Sequence, residues 1–275
     1  MTRVFALGGA LLAASLPLSA QSWQTLSVER ATLPKAELSV VVRQHAGKFS
    51  IKPSRDSVRY RATLRYDAQA LEPIYRYDAD SGALRLGTRE RQGASGGRRS
   101  GNLDITLGAI GTLAIDVQAS AAETQLDLTG LPITSLAVSS GASDTRVRFD
   151  RPNPVRMKSL TLSTGAASIL VDRLGNANAD EIIVRAGVGE IELDMAGTWL
   201  HDTELRAEVS LGVLTIRVPT DVGVRVETSR VLASFSHEGL SEQGGAYVSD
   251  NWESATHKLR IYAQTVVGFL SVERR

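Results

Sequence analysis

The sequence predicts an all-β protein: a single-stranded β-helix, or solenoid-like stack of two-strand rungs, preceded by a small all-β N-terminal unit. Apolar and polar residues alternate with period two, as in half-buried strands. Small residues or glycines interrupt this alternation at near-constant intervals, and leucine-rich helical heptads are absent. In "EIELD", for example, Ile191 and Leu193 fall on one face of a strand, while Glu190, Glu192 and Asp194 fall on the other.

Residues 1–20 have the pattern of a secretory signal peptide. Arg3 precedes a short apolar stretch, which is followed by a proline and small residues. The stretch is shorter than the roughly 20 apolar residues that a spanning helix needs, and a retained membrane anchor is the alternative. We expect cleavage after Ala20, or after Ser22 as a second choice, and export to the periplasm or cell envelope. No later apolar run reaches spanning length, so we expect no integral membrane span in the mature chain.

Residues 21–88 are predicted to form the all-β N-terminal unit. Leu38, Val40 and Val42 alternate with polar positions up to Gly47, where a second alternating run begins. This pattern predicts a strand, a tight corner and another strand.

Residues 89–101, "RERQGASGGRRSG", are rich in glycine and arginine and predict a flexible, exposed connector. Its arginines are candidates for contact with anionic envelope components, and so are two arginines just before "RPNPVRMK". The alternative is that these charges only keep the surface soluble. The candidate residues are Arg89, Arg91, Arg98, Arg99, Arg146 and Arg148.

Residues 102–275 are predicted to form the β-solenoid repeat domain. Four corner glycines, Gly141, Gly165, Gly187 and Gly212, follow one another at intervals of 24, 22 and 25 residues. Each corner lies between two alternating runs. Because one rung cannot bury its apolar row alone, successive rungs must stack and share a core.

This stacking makes predictions for individual positions. We expect Gly187 and Gly212 to lie where the backbone bends tightly, with a positive φ as one way to make the bend. The last run, residues 247–275, repeats the two-strand pattern around Gly268, and we expect it to close the stack at its C-terminal end. Six apolar residues should be inward neighbours on successive rungs: Ile169, Val171, Ile191, Leu193, Leu214 and Ile216.

The segments "VERATLPKAELSVVVRQHAGKFSI" and "ATLRYDAQALEPIYRYDADSGALRL" resemble the N-terminal toast-rack domain family. The rungs "GVGEIELDMAGTW" and "VPTDVGVRV" are similar to the C-terminal domain of bacterial cell-wall-active antibiotic-response proteins and to adhesin-like proteins of bacterial envelopes. The resemblance implies a toast-rack-like unit followed by a β-helix-like stack, without an established catalytic site.

Composition limits the possible partners and chemistry. The net charge of +1 gives no reason to expect a nucleic-acid partner. Residues 1–100 contain 16 basic and 8 acidic residues, whereas the remainder contains 15 and 22, which predicts two electrostatic faces or modules. The absence of cysteine excludes disulfides, an acylated cysteine anchor and thiolate metal sites.

No residues are predicted to form a catalytic, cofactor or metal site. Ser95 in "GASGG" matches the nucleophile-elbow motif, but the strand and helix that such an elbow needs are missing. The histidines His45, His201, His237 and His257 are not at metal-ligand spacing. The acidic row formed by Glu190, Glu192 and Asp194 could bind Ca²⁺, although a solvated outer strand face is the favoured interpretation.

We therefore hypothesise a non-enzymatic, exported envelope protein with a rigid binding surface and a structural, adhesive or envelope-stress role. The expected partners are anionic envelope components or another envelope protein. The alternative hypothesis is a polysaccharide-acting enzyme on a β-helix scaffold, which would need clustered carboxylates projecting from neighbouring rungs.

Overall fold

A computed structural model of the chain describes residues 22–31, 36–94 and 99–275. Most of this part of the chain is β-strand. Its helical structure is a single 3₁₀ turn at Leu174–Ala177, flanked by Arg173 and Asn178 with φ of 56° and 55°. The predicted all-β, solenoid-like fold class is confirmed. The predicted signal peptide lies outside the described residues.

The described residues form fifteen strands, eight of which are 15–17 residues long. The strands are β1 (Trp23–Arg30), β2 (Glu37–Pro53), β3 (Tyr60–Asp67), β4 (Leu71–Asp78), β5 (Ala83–Glu90), β6 (Gly101–Leu107), β7 (Thr112–Asp127), β8 (Ile133–Arg148), β9 (Met157–Asp172), β10 (Ala179–Asp194), β11 (Thr203–Val218), β12 (Gly223–His237), β13 (Ser241–Gln243), β14 (Ala246–Val248) and β15 (Lys258–Arg274).

All the strands belong to one sheet. Its hydrogen-bonded order is β1-β3-β6-β2-β7-β8-β9-β10-β11-β15-β12-β14-β13, and the β4–β5 hairpin joins it through β2. The eight long strands run parallel to one another. Beside β2, two short strands take the place of a long one: β5 pairs with Ser39–Arg43 and β6 with Gly47–Pro53.

Each long strand must bend, because the connections between the strands are short. Strand β9 has 16 residues and would span about 50 Å if straight. Only residues 173–178 connect it to β10, which begins beside the start of β9. Six residues reach at most about 25 Å. The two ends of each long strand therefore lie close together, and the chain turns a corner near the strand's middle.

The corner changes the phase of the burial pattern. In β10 the buried residues have even numbers before the corner, such as Ile182 and Val184, and odd numbers after it, such as Ile191 and Leu193. Both sets belong to a single core cluster that extends from Leu38 to Val272. The six predicted inward neighbours are all buried, and Ile191 lies between Ile169 and Leu214 as predicted.

The predicted division of the chain at residues 88 and 101 stays a prediction. Strand β5 extends to Glu90, so it includes the first two residues of the predicted connector. Strand β2 on the N-terminal side pairs with β7 over almost its whole length. Residues on both sides of the predicted connector thus contribute to the same core cluster.

The prediction that the C-terminal run closes the stack is wrong. Strand β15 inserts between β11 and β12 and runs parallel to both. The corners give a physical reason. Gly268 has a φ of 135° and pairs with Gly212, whose φ is 144°. The corresponding corner residue of β12 is Ala233, which is not among the residues with positive φ.

Candidate binding surfaces

Two ladders of small residues build the corner of the stack. Gly212 pairs with Gly189 on one side and with Gly268 on the other, and all three have a positive φ. A Cβ atom placed on Gly212 would lie 1.8 Å from the carbonyl oxygen of Gly189, so no side chain fits there. The predicted bend with positive φ is therefore confirmed for Gly212.

Gly187 belongs to the other ladder and does not have a positive φ, so the bend there is made in another way. It is confined by close approach instead, because an added Cβ would lie 2.5 Å from the carbonyl oxygen of Gly165. The equivalent of Gly212 is Gly189, so the sequence comparison was shifted by two residues. A shift of two preserves the face of a strand, which is why the predicted core residues were still correct.

Between these two ladders runs an exposed apolar ridge that the sequence analysis missed. Its pairing runs from Ala142 through Ala166, Val188 and Leu211 to Val267 and then Leu232. Val188 and Leu211 are each 47% exposed, and Leu232 is 74% exposed. The sequence signal was the break in alternation at the corner, where two apolar residues adjoin in "VL" (231–232) and "VV" (266–267).

A polar groove of about 920 Å³ lies across another part of the sheet. It is formed by β3, β6, the ends of β2 and β7, and the loops that follow β2, β7 and β8. The register explains the assembly: Arg61 pairs with Thr106, and Thr106 pairs with Lys52. The lining residues are Lys52, Pro53, Ser54, Arg55, Asp56, Arg61, Thr63, Asp104, Thr106, Asp127, Thr129, Asp150 and Arg151.

The acidic side chains of the groove have partners. Asp104 accepts a hydrogen bond of 2.5 Å from Ser50. Asp127 and Asp150 lie 2.5 and 3.2 Å from the guanidinium of Arg148. Burial opposes the ionisation of Asp127, but hydrogen bonds from Thr129 and Arg148 outweigh it and lower the pKa of this carboxyl below its ordinary value.

Three cationic side chains of the groove have no ion-pair partner among the described residues. They are Lys52, Arg55 and Arg151. Arg151 lies over Gly130, whose φ is 68°, so that its guanidinium occupies the space a Gly130 side chain would take. The sequence analysis singled out Arg146 and Arg148, close to Arg151 in the chain, but not Lys52 or Arg55, since only the register of β2, β7 and β8 brings these segments together.

The predicted arginine contacts lie at separate places. Arg89 and Arg91 form ion pairs of 2.7 and 3.6 Å with Glu72, and Arg99 lies 3.6 Å from Glu90. Arg148 borders the polar groove through its carboxylate partners there. Arg146, on the same strand, is exposed and has no ion-pair partner in the described part of the chain. Arg98 lies outside the described residues.

Several of the remaining sequence candidates have structural partners. Glu192 forms an ion pair with Arg217 in the next strand, and Asp194 accepts a backbone hydrogen bond of 3.1 Å from Ala196. His45 lies 3.1 Å from Glu90. Across residues 22–31, 36–94 and 99–275, no group of three or more histidine, aspartate or glutamate side chains is arranged to hold a metal ion. Ser95 lies outside this part.

In the described part of the chain, no helix has the length and apolar content required to cross a membrane.

Comparison with known proteins gives one family and several distant structural likenesses. No curated protein matches the chain. A structure described as "a putative cell adhesion protein from Clostridium sporogenes" is 15% identical, covers 92% of this chain and 99% of its own, and has a TM-score of 0.47. A "putative adhesin" from Bacteroides fragilis is 11% identical, with coverages of 92% and 98% and a TM-score of 0.43.

The sequence profile described as the N-terminal domain of toast_rack, DUF2154, matches residues 19–157. The match includes the described chain from its start at residue 22 to Met157, the first residue of β9. It covers just over half of the 275 residues. The resemblance seen in the N-terminal sequence is thereby confirmed, and the chain belongs to the toast-rack N-terminal domain family.

Proposed function

We propose that this protein is an exported, non-catalytic scaffold of the bacterial cell envelope, and that it binds carboxylate- or phosphate-bearing envelope polymers in the polar groove. The observation that supports this is the presence of Lys52, Arg55 and Arg151 in the groove without a carboxylate partner among the described residues. Ammonium and guanidinium groups are the side chains best suited to such anions.

The shape and the other lining residues fit an extended polyhydroxylated ligand. The groove crosses the ends of several strands, and its volume of about 920 Å³ lies at the upper end of ordinary ligand sites. Thr63 and Thr106 line it and offer hydroxyls that both donate and accept hydrogen bonds. A glycan carrying acidic groups would use the hydroxyls and the cations together.

Binding fits this groove better than glycan hydrolysis does. A glycosidase needs a carboxylic acid that stays protonated, with a raised pKa, to protonate the leaving oxygen. The pKa of Asp127 is lowered instead, and its carboxylate is held by Arg148. The carboxylate of Asp104 accepts a hydrogen bond from Ser50. These carboxylates serve to hold cations and neighbouring strands.

A charge-matched pair of triple variants tests the groove. Lys52→Ala/Arg55→Ala/Arg151→Ala removes the free cations of the groove. The control, Arg76→Ala/Arg85→Ala/Lys158→Ala, removes the same charge from exposed strand positions elsewhere. Binding is measured by co-sedimentation with isolated peptidoglycan sacculi and with vesicles containing anionic lipid.

We expect the groove variant to bind at least about tenfold more weakly, a loss of roughly 1.4 kcal/mol. The control should retain binding within about twofold. Added salt should weaken the binding of both variants, because exposed charges are screened. Equal losses of binding in the two variants would mean that only net charge matters, and would overturn the proposal that the ligand binds in the groove. Turnover of a glycan by the purified protein, abolished in a folded Asp104→Asn or Asp127→Asn variant, would overturn the non-catalytic proposal.

Export has its own test. The intact mass of the protein recovered from the envelope fraction should be lower than that of the full chain by about 20 residues. Recovery of the uncleaved chain from the cytoplasm would contradict the proposed export but would not affect the proposed binding in the groove.

A further inference from the structure

Strand β12 leaves most of one edge without a partner. Its inner edge pairs with β15 from Gly223 to His237. On its outer edge, β14 pairs only with Arg225 and Val226. From Glu227 to His237, no strand of the described residues pairs with the outer edge. Such an edge presents unpaired N–H and C=O groups to which another strand can bind.

The apolar ridge reaches its greatest exposure at this edge. Val231 and Leu232 are 72% and 74% exposed, more than any other exposed large apolar side chain of the described residues. Soluble proteins commonly block an edge strand with lysine or proline. Residues 227–237 contain neither. An unblocked edge with an apolar centre is therefore the part of this molecule best suited to pair with another strand.

We infer that β12 pairs with the β12 of a second copy of this chain, antiparallel about Leu232, in a twofold-symmetric dimer. In this register Glu227 faces His237, Arg230 faces Ser234, and Leu232 faces its own copy. No two like charges meet, and the most exposed apolar side chains lie at the centre. Like charges directly across from each other would destabilise such a pair, so the charge pattern favours self-association.

The bend of β12 is compatible with this symmetry. A twofold axis through the corner maps one bent strand onto another with the same bend, so both halves of the strand can pair. The other end of the sheet is β1, which has only eight residues and pairs over its whole length with a strand half as long as β12. A β12–β1 contact would cover only one half of β12 and would build open-ended filaments.

The absence of cysteine from the chain allows a clean cross-linking test. In the proposed dimer, the Cβ atoms of the two Leu232 residues would lie about 4.5–5.5 Å apart, which is close to the separation that a disulfide accepts. The full-length protein carrying Leu232→Cys should form a disulfide-linked dimer under mild oxidation. Leu211→Cys, on the same ridge but inside the sheet, is the matched control and should stay monomeric on a non-reducing gel.

The double variant Glu227→Cys/His237→Cys tests the register. The cysteine at position 227 of one copy then faces the cysteine at position 237 of the other copy. The double variant should cross-link efficiently, whereas each single variant should not. Cross-linking of the Leu211→Cys control, or none in the double variant, would overturn the antiparallel pairing about Leu232.

Sedimentation equilibrium measures the same dimer without a cross-link. Leu232→Lys should raise the dimer dissociation constant at least about tenfold, because two like charges would meet at the centre of the pair. Leu211→Lys should leave that constant unchanged, and circular dichroism should show both variants folded. A monomeric wild-type protein at high micromolar concentration, a dimer unaffected by Leu232→Lys, or head-to-tail filaments would each refute the proposal.

Discussion

Replacement of Gly212 by alanine tests the corner directly. The added Cβ would lie 1.8 Å from the carbonyl oxygen of Gly189 and 2.9 Å from its carbonyl carbon, so backbone atoms of the neighbouring strand would have to move. Gly212 also has a φ of 144°, which a residue with a side chain rarely adopts. The substitution therefore combines backbone strain with overpacking.

The two effects have separable magnitudes. A residue held in an unfavourable backbone conformation costs about 1–3 kcal/mol, and forced overpacking of a close-packed site costs about another 1–3 kcal/mol. We expect Gly212→Ala to lower the free energy of unfolding by roughly 2–6 kcal/mol. Because Gly212 pairs with Gly189 on one side and Gly268 on the other, the loss should affect the whole C-terminal half of the stack.

Two control variants isolate each effect. Gly244→Ala introduces a side chain at a φ of 58° where no atom lies within 4 Å, so it measures the backbone effect alone. Gly165→Ala crowds the Gly141 carbonyl oxygen at 2.9 Å without a positive φ, so it measures crowding alone. Urea denaturation followed by circular dichroism gives the free energies of unfolding. The reasoning about the corner fails if the free energy of unfolding of Gly212→Ala lies within about 0.5 kcal/mol of the wild-type value. It also fails if Gly165→Ala lowers that free energy as much as Gly212→Ala does.

Three further predictions follow from individual side chains. Ile191→Ala should cost about 2–5 kcal/mol of unfolding free energy, whereas Glu190→Ala on the outer face should change it by less than about 0.5 kcal/mol, both measured by urea denaturation. The pKa of Asp127 is lower in the folded state than in the unfolded state, so its stabilisation is present above the unfolded value near 4 and is lost as the pH falls through the folded value. Asp127→Asn should therefore lose less stability on acidification, as measured by melting temperature between pH 6 and roughly 2, and an unchanged acid dependence would contradict this. Burial, with a hydrogen bond to Tyr75, raises the pKa of Tyr60 to about 12. Folding therefore loses stability as the pH rises from about 10 towards that value, and Tyr60→Phe should reduce this alkaline loss in the same assay.

The local features of this fold could be predicted from the sequence because they repeat with a short period. Alternation identified the strands, and the inward positions of Ile191 and Leu193 were correct even though the corners were aligned two residues apart. Period-two patterns are insensitive to such a shift. The same insensitivity explains why the position of β15 was missed: its pattern is suited to pairing with any neighbouring strand.

The candidate site was harder to predict, because it depends on which strands become neighbours. Lys52 and Arg151 are about a hundred positions apart in the sequence and share a groove only through the pairing of β2, β7 and β8. Conversely, Arg89 looked free in the sequence, but Glu72 on the neighbouring strand pairs with it at 2.7 Å. Cross-strand partners of this kind leave no local signal in the chain.

The two proposed surfaces are separated along the stack, so they can act together. The groove reaches as far as the loop that follows β8, and β12 lies five strand positions away, or about 24 Å at the usual spacing of neighbouring strands. A dimer formed through β12 would therefore leave both polar grooves accessible at its distal ends. Two linked sites on one polymer raise the effective concentration of the second binding event. Weak single-groove binding would then become firm attachment in the dimer, and Leu232→Lys should weaken attachment to sacculi while leaving the groove residues intact.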